Sequence, residues 1–286
     1  MSSPISRRNF LARAAVIVAA LPPAGRGHHE RYASFLLRLG VIDLAATGTD
    51  QRGMGLILGV EEATRAASMF GGAVELASIS DASFRTRGLS AVIGDDNTAR
   101  CIALSSQASE AGVPFLNVAC SSDALRGESC RGTLYHIAPS EAMNRDAISA
   151  VRSRGSVAAW HPSLERFGAD TLNRRFRSRF NRQMTSQAWT AWMAVKVLWE
   201  SSLRVRSGEA GKLIEYLNRD PTQFDGHKGA PLSFRSWDRQ LRQPLYVVSD
   251  SHVVEVPATA KPDETVRDAL DQLGTRASES QCQLTS

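Results

Sequence analysis

Hydrophobic and polar positions in the first half of the chain alternate between short apolar runs and helical patterns. Apolar residues at helical spacing cover Leu56 to Ala67 and then 99–111, which predicts two amphipathic helices. Strand, polar loop, helix and strand recur in this order, so the pattern predicts an α/β fold, a doubly wound parallel sheet with helices on both faces. Four apolar runs predict its buried strands: 37–44, 74–79, 89–94 and 113–118.

Two polar loops follow neighbouring predicted strands, one at 95–98 and the other at 120–123. Ligands of such sheets bind outside the carboxyl ends of the strands, so we expect both loops to share one edge and to form the binding site. A helix that begins after such a loop presents unpaired backbone N–H groups and a positive dipole end, which favour a ligand carboxylate.

The second half of the chain is dominated by helical patterns. An arginine-rich amphipathic stretch covers 164–180, and a strong helix runs from Met184 to Ser202 with three tryptophans. Trp192, Val195 and Trp199 share a face at three- and four-residue spacing, which favours packing onto a sheet over an aromatic ligand box.

Short strands and a polar end complete the chain. Strands are predicted at 232–234, 245–248 and 252–256, and from Ala258 the chain is polar with little to pack. We divide the chain into a signal peptide at 1–24, an N-terminal α/β lobe at 25–150, returning helices and strands at 151–257 that complete the lobe, and a polar tail at 258–286.

The N-terminus has the layout of a twin-arginine export signal. Residues 6–11 read S-R-R-N-F-L, and an apolar run from Ala14 to Leu21 precedes Pro22, Pro23 and Ala24. This run of eight residues is far shorter than the about 20 needed to cross a bilayer. The pattern predicts export by the twin-arginine translocase to the periplasm, the alternative being an uncleaved anchor or a chance Arg-Arg pair.

The net charge does not indicate a nucleic-acid partner. The formal charge is +5, but Arg7, Arg8 and Arg13 lie in the predicted signal, and removing them leaves +2. The remaining arginines are scattered along the chain instead of forming a stripe, so nucleic-acid binding is not predicted.

The four cysteines favour disulfide chemistry over metal binding. They are Cys101, Cys120, Cys130 and Cys282, and the chain has no CxxC pair and no HExxH motif. We therefore predict no metal and no cofactor. In an oxidising compartment disulfides are the default. Four cysteines allow three complete pairings, which the sequence does not separate, and we favour Cys130 with Cys282.

No motif predicts an enzyme. Gly53, Gly55 and Gly59 resemble a dinucleotide-binding turn only loosely, because the third glycine comes one residue late and no acidic residue follows at the required position. The serines lack a GxSxG elbow, and Cys120 has no partner base that the sequence identifies. His136 lies in the alternating run 134–138, where a half-buried strand histidine is expected.

Several motifs resemble type I periplasmic solute-binding proteins, the group related to branched-chain amino-acid receptors of ABC transporters. They are G-D-D-N-T-A at 94–99, G-V-P-F-L-N at 112–117, S-S-D-A-L-R-G-E-S-C-R at 121–131 and H-I-A-P-S-E-A-M at 136–143. Three further motifs resemble a narrower subgroup, the ABC substrate-binding proteins associated with the pyrroloquinoline quinone (PQQ)-dependent alcohol dehydrogenase system. They are W-H-P-S-L-E-R-F-G-A at 160–169, A-W-T-A-W-M-A-V-K at 188–196 and K-G-A-P-L-S-F-R-S-W-D-R-Q-L-R-Q-P-L at 228–245.

The resemblance implies a two-lobed receptor that closes on a small polar ligand and delivers it to an ABC permease in the inner membrane. Carboxylates at Asp95 and Asp96 depart from the family and would repel a bound carboxylate, so a neutral or cationic ligand is expected. By position, the ligand-binding residues are Asn97 and Thr98 in the first loop and Cys120, Ser121 and Ser122 in the second.

A second departure concerns the opposing lobe. Only 16 residues separate Met143 from Trp160, where the family builds most of its second lobe from units of about 30 residues each. Most of that lobe is therefore expected to be missing. The explanations are a degenerate relative, a lobe supplied by a homodimer, or a deletion in the gene sequence. The prediction is a periplasmic solute-binding component of an ABC uptake system linked to PQQ-dependent alcohol oxidation, and the alternative is an interaction protein of that system without a transport role.

Overall fold

The structure is a computed structural model that describes residues 35–42, 49–79, 88–94, 97–152, 154–220, 222–250, 252–257 and 264–284. The predicted export signal at 1–24 and the acidic pair Asp95 and Asp96 lie outside the described residues.

Strands and helices alternate in the first half, and helices followed by short strands form the second. The strands are β1 (Phe35–Ile42), β2 (Gly72–Ile79), β3 (Ala91–Gly94), β4 (Phe115–Asn117), β5 (Leu134–His136), β6 (Ser156–Ala158), β7 (Phe224–Asp225), β8 (Pro231–Phe234), β9 (Leu241–Arg242), β10 (Leu245–Ser249) and β11 (His252–Val256). The helices are α1 (Gln51–Phe70), α2 (Thr98–Glu110), α3 (Glu141–Val151), α4 (Ala169–Phe180), α5 (Ser186–Val205), α6 (Ala210–Leu217) and α7 (Val266–Asp271).

The first five strands form one parallel sheet in the order β2-β1-β3-β4-β5. Helix α1 connects β1 to β2, and helix α2 connects β3 to β4, because parallel neighbours require a crossover connection. On one face α1 and α5 pack together over Leu37 and Leu39, and on the other α2 buries Leu104 against Phe115. The predicted α/β fold with a parallel sheet covered on both faces is confirmed.

The glycines of α1 serve helix packing. A Cβ atom added at Gly55 would lie 1.9 Å from the carbonyl oxygen of Ala188 in α5, and one added at Gly59 would lie 2.9 Å from Cβ of Val195. The two helices therefore approach so closely that only glycine fits at the first position. This contact accounts for two of the three glycines that loosely resembled a dinucleotide turn, Gly55 and Gly59.

The tryptophans of α5 belong to the core, as their spacing predicted. Trp189, Trp192 and Trp199 are all buried. The indole N–H of Trp189 donates to the carbonyl oxygen of Gly226 over 3.1 Å, and that of Trp192 donates to Oε2 of Glu62 over 2.9 Å. Because these polar atoms are satisfied within the protein, the rings do not form an open aromatic box.

The second half adds two small antiparallel sheets, β11-β10-β6 and β7-β8-β9. Between β5 and β6 the chain contains α3, which packs on the sheet of β6, β10 and β11. The described residues therefore hold one parallel sheet, which agrees with the short connection between Met143 and Trp160.

The prediction of a polar tail with little to pack is wrong for residues 264–284. Helix α7 buries Ala269 and Leu270, and Leu273 follows them into the core. The carboxylate of Asp271 accepts hydrogen bonds from Arg235 and Arg242, whose side chains are both 1% exposed. Three apolar residues are too few to give a periodic signal, and the two arginines that anchor them lie about 30 residues earlier in the chain.

The C-terminus is also held by a disulfide. Cys130, in the segment between β4 and β5, is bonded to Cys282, and the S–S distance is 2.08 Å. This is the pair favoured from the sequence. Cys101 and Cys120 take part in no disulfide.

Candidate functional site

The two predicted binding loops meet at the carboxyl edge of the parallel sheet. Strands β3 and β4 are neighbours, and their last residues, Gly94 and Asn117, are paired in register. Both strands end at the same side of the sheet, and Thr98 Oγ1 in the described part of the first loop comes to 3.3 Å from Cys120 Sγ in the second. The expectation that both loops share one edge is confirmed.

The first loop ends in a capped helix. Asn97 Oδ1 accepts the backbone N–H of Arg100 over 2.9 Å, so Asn97 is the N-cap of α2. Thr98 is the first residue of the helix and is half-buried, with its hydroxyl against the Cys120 thiol. The side-chain oxygen of Asn97 therefore holds the helix terminus, and the hydroxyl of Thr98 faces the second loop.

Cys120 has the character of a thiolate. A hydrogen bond from the Cys101 side chain is the largest effect, and together with bonds from Thr98 and the backbone of Ser122 it lowers the pKa of Cys120 to about 5, although burial opposes the shift. Cys120 also lies beside the first turn of α2, where the helix dipole stabilises negative charge. The sulfur of Cys120 thus lies beside the positive end of the α2 dipole.

Asn117 sets the shape of the Cys120 loop. Its Oδ1 accepts the N–H of Cys120 over 2.8 Å and that of Ala119 over 3.2 Å, and its Nδ2 donates to the carbonyl oxygen of Cys120 over 2.7 Å. The same amide nitrogen lies 3.0 Å from Nδ1 of His136. Because the amide donates, Nδ1 of His136 is the acceptor, which requires a neutral ring.

His136 is fully buried at the end of β5, more deeply than the half-buried position predicted for it. Burial is the largest effect on its pKa and lowers it well below the usual value, and the nearby Arg126 acts in the same direction. A neutral, enclosed imidazole that bonds to Asn117 supports the shape of the loop.

Arg126 joins the end of the second loop to the rest of the site. Nη1 donates to the carbonyl oxygens of Cys120 and Ser122 over 3.2 and 3.0 Å, and Nη2 donates to that of Ala138 over 2.7 Å. Burial lowers the pKa of Arg126 to about 10, opposed by the charge of Asp238, so the guanidinium remains protonated at neutral pH. The cation also faces the Cys120 thiolate.

Gln240 reaches the same region from the C-terminal half. Its Oε1 accepts Nε of Arg126 over 2.9 Å, and its Nε2 donates to the carbonyl oxygens of His136 and Ala138, each over 3.2 Å. The backbone N–H of His136 also bonds to the carbonyl oxygen of Arg239 over 3.0 Å. The returning chain therefore holds β5 and the second loop in place.

Ser121 and Ser122 are the polar groups that the site leaves open. Both residues are half-buried, and their backbone carbonyl oxygens bond to Glu141 N and to Arg126. Within the part of the chain that the structure describes, neither hydroxyl makes a hydrogen bond. Two adjacent hydroxyls at the rim can donate to and accept from a small polar molecule.

Sequence reasoning therefore located the two loops but missed the residues that shape them. Asn117 could have been found, because a polar residue ends an otherwise apolar strand. Arg126, His136 and Gln240 carried no such signal, since Gln240, which bonds to the other two, lies 114 positions from Arg126 and 104 from His136. A separate groove of about 600 Å³ lies at the small sheet, and none of the candidate residues lines it; its walls are Arg154, Gly155, Ser156, Val248, Ser249 and Asp250.

Two further observations concern metals and membranes. Among the described residues, no three or more His, Cys, Asp and Glu side chains are arranged to hold a metal ion. Over the same part of the chain, no helix combines the length and apolarity that a bilayer crossing requires.

Solved structures of periplasmic ligand-binding proteins have a similar fold. No family model matches the sequence, and no curated protein matches it. A branched-chain amino-acid ABC transporter periplasmic ligand-binding protein from Burkholderia xenovorans aligns with a TM-score of 0.67 at 12% identity, over 87% of this chain and 99% of that one. A periplasmic binding protein from Burkholderia mallei aligns with a TM-score of 0.66 at 13% identity, over 87% and 99%.

The chain has the type I periplasmic-binding-protein fold. A third structure of this fold is an ABC transporter solute-binding protein from R. palustris in complex with benzoate, with a TM-score of 0.59 at 10% identity, over 87% of this chain and all of that one. At these identities the likeness concerns the fold, and the function is argued separately from the site.

Proposed function

We propose that this chain is the solute-binding component of an ABC uptake system and binds a small polar ligand without carrying out chemistry. The observation that carries the proposal is the meeting of the two loops, where Thr98 and Cys120 are in contact and the hydroxyls of Ser121 and Ser122 are open. This edge of a parallel α/β sheet is where such folds bind ligands. The fold it shares with periplasmic ligand-binding proteins supports the same function.

The charge of the site favours a neutral or cationic ligand. A helix N-terminus attracts anions, but the Cys120 thiolate already lies beside the first turn of α2 and would repel a carboxylate. A serine hydroxyl can donate a hydrogen bond to a neutral hydroxyl or amine group and can also accept one from it. We therefore favour small alcohols and amines over acids, which is consistent with a role beside PQQ-dependent alcohol oxidation.

We further propose that the protein works in the periplasm, after export by the twin-arginine translocase, and passes its ligand to a permease in the inner membrane. The motif at residues 6–11 and the apolar run behind it support this location. Fusion of residues 1–30 to a reporter that is active only after twin-arginine export tests it. Export that persists after Arg7→Lys and Arg8→Lys would exclude that route.

A ligand screen by thermal unfolding tests the binding function. The purified chain is heated with alcohols, amines, carboxylic acids including benzoate, and PQQ. A ligand at 100 times its dissociation constant adds about 2.7 kcal/mol to the free energy of unfolding, which raises the melting temperature of a domain of this size by roughly 5–10 °C. We expect dose-dependent shifts from the alcohols or amines.

Matched serine variants locate the binding. Ser121→Ala with Ser122→Ala removes both open hydroxyls, while Ser149→Ala removes an exposed hydroxyl on α3, away from the site. The double variant should lose the shift and the control should keep it. If no compound of the panel raises the melting temperature of the wild-type chain, the receptor function is contradicted and the alternative, a non-transport interaction protein, is favoured. The single parallel sheet of the described residues also fits that alternative, because a ligand at its edge would stay exposed.

A further inference from the structure

The two cysteines outside the disulfide lie against each other at the candidate site. Thr98 and Cys101 are three residues apart in α2, so their side chains share one face of the helix. That face meets the second loop, where Cys120 Sγ lies 3.3 Å from Thr98 Oγ1 and is hydrogen-bonded to the Cys101 side chain. Cys101 and Cys120 are 0% and 2% exposed and belong to one buried cluster.

The neighbouring side chains make the two sulfurs of Cys101 and Cys120 chemically different. Cys120 receives the hydrogen bonds of Thr98 and Cys101 and faces the guanidinium of Arg126, so it carries the negative charge. Cys101 supplies a hydrogen bond to that sulfur and lies beside it. A disulfide forms between neighbouring cysteines when a thiolate is oxidised first and the second cysteine completes the bond.

We propose that Cys101 and Cys120 are a redox pair that hydrogen peroxide, an oxidant small enough to reach almost fully buried sulfurs, converts to a second disulfide. The Cys120 thiolate attacks one oxygen of hydrogen peroxide, the O–O bond breaks and hydroxide leaves, so that Cys120 becomes a sulfenic acid. The Cys101 thiol then loses its proton and attacks Cys120 Sγ, and the sulfenic oxygen leaves with that proton as water. One protein thiolate, one protein thiol and one hydrogen peroxide thus become one protein disulfide, one water molecule and one hydroxide ion, with electrons and protons balanced.

Oxidation changes the site in two ways. The new bond ties the first turns of α2 to the loop after β4, the two segments that carry all five candidate ligand residues. It also replaces a thiolate by a neutral sulfur and releases the hydroxyl of Thr98 from its charged partner. The disulfide itself does not depend on the proposed transport function, so it is tested without a ligand.

The chain is well suited to a direct test by mass spectrometry. Trypsin cuts after Arg100 and Arg126, and the peptide 101–126 contains no other arginine or lysine but both cysteines of the pair. Native protein is incubated with a stoichiometric amount of hydrogen peroxide or with dithiothreitol, freed of the reagent, denatured in the presence of iodoacetamide so that buried thiols are alkylated, and digested. After oxidation we expect this peptide to be unalkylated and lighter by two hydrogen atoms than its free dithiol, and after reduction to carry two alkyl groups.

Internal and variant controls complete the test. Peptides 127–131 and 277–286, joined by Cys130 and Cys282, report that the native disulfide stays intact. Cys101→Ser should leave Cys120 as a sulfenic acid, which dimedone labels once the protein is denatured, whereas Cys120→Ser should leave Cys101 unmodified. The proposal is overturned if wild-type peptide 101–126 remains doubly alkylated after prolonged oxidation, or if its cysteines pair with Cys130 or Cys282 instead.

Discussion

Arg126 donates from Nε to Oε1 of Gln240 over 2.9 Å, although 114 positions separate the two residues. The same guanidinium bonds to the carbonyl oxygens of Cys120 and Ser122. The second candidate loop is therefore held in place by a residue of the returning C-terminal chain. The site depends on both halves of the protein even though its candidate ligand residues all lie in the first half.

Removing the Gln240 side chain should destabilise the protein. Gln240→Leu leaves Nε of Arg126 and the carbonyl oxygen of His136 without this partner and removes one of the two hydrogen bonds to the carbonyl oxygen of Ala138, and losses of this kind cost about 3 kcal/mol together. Urea unfolding measures the loss. Gln223→Leu, at an exposed position, is the matched control and should change the free energy of unfolding by less than about 0.5 kcal/mol. Equal effects of the two substitutions would refute the role of Gln240.

The thiolate character of Cys120 should depend on Cys101. Cys101→Ala removes the largest cause of the lowered pKa, so the pKa of Cys120 should rise from about 5 towards 9.0, its ordinary value. Cys101→Ser keeps a hydrogen-bond donor and should raise it less. The ultraviolet absorbance of the thiolate, followed against pH, measures both.

The same shift has a consequence for stability. Because the folded pKa of Cys120 lies below the unfolded value, its contribution is complete above about pH 9 and is lost as the pH falls to about 5. In Cys101→Ala this part of the pH dependence of unfolding should be weaker. An unchanged dependence would show that the Cys101 bond does not hold the thiolate.

Lys228 should make the protein more stable as the pH rises. Its Nζ donates to Oε1 of Gln243 over 2.8 Å and to the carbonyl oxygen of Pro244 over 2.9 Å, and it lies 3.9 Å from the ring centre of Trp189. Complete burial holds the pKa of Lys228 well below its usual value of about 10.5. Between the folded and unfolded pKa values the unfolded chain binds more protons, so the free energy of unfolding rises with pH, by at most about 1.4 kcal/mol per unit.

Methionine at this position tests the effect. Lys228→Met should abolish the rise that remains above about pH 9, where the contribution of Cys120 is complete, while Lys212→Met, at an exposed lysine of α6, should keep it. The measurement is urea unfolding at pH values from neutral to about 10. The same alkaline rise in Lys228→Met would mean that the lysine is not the titrating group.

Packing of α1 on α5 gives a further pair of variants. Gly55→Ala would place a methyl group 1.9 Å from the carbonyl oxygen of Ala188, and we expect a loss of about 3 kcal/mol because the helices must separate. Gly211→Ala, in α6, meets nothing within 4 Å and should gain about 0.5–1 kcal/mol. Thermal unfolding of both proteins measures the difference. A neutral Gly55→Ala would disprove the close approach of the two helices.

Local patterns in the sequence were sufficient for the parallel sheet and for the position of both loops. Apolar runs and helical spacing predict β1 to β4 and the helices between them, because the buried side chains of each element recur with the period of that strand or helix. The contacts of Gln240 leave no periodic pattern, and neither do those of Asp271 with Arg235 and Arg242. For this reason the bracing of the site and the packed C-terminal segment appear only in the structure.

The central claim is that a small molecule binds where the two loops meet, and chemical shifts measure this directly. The isotopically labelled chain is titrated with the alcohol or amine that raises the melting temperature most, and its backbone amides are followed by NMR. We predict the largest shifts at 97–98 and 119–123. Shifts that concentrate instead at the groove formed by 154–156 and 248–250, with the two loops unchanged, would contradict the account.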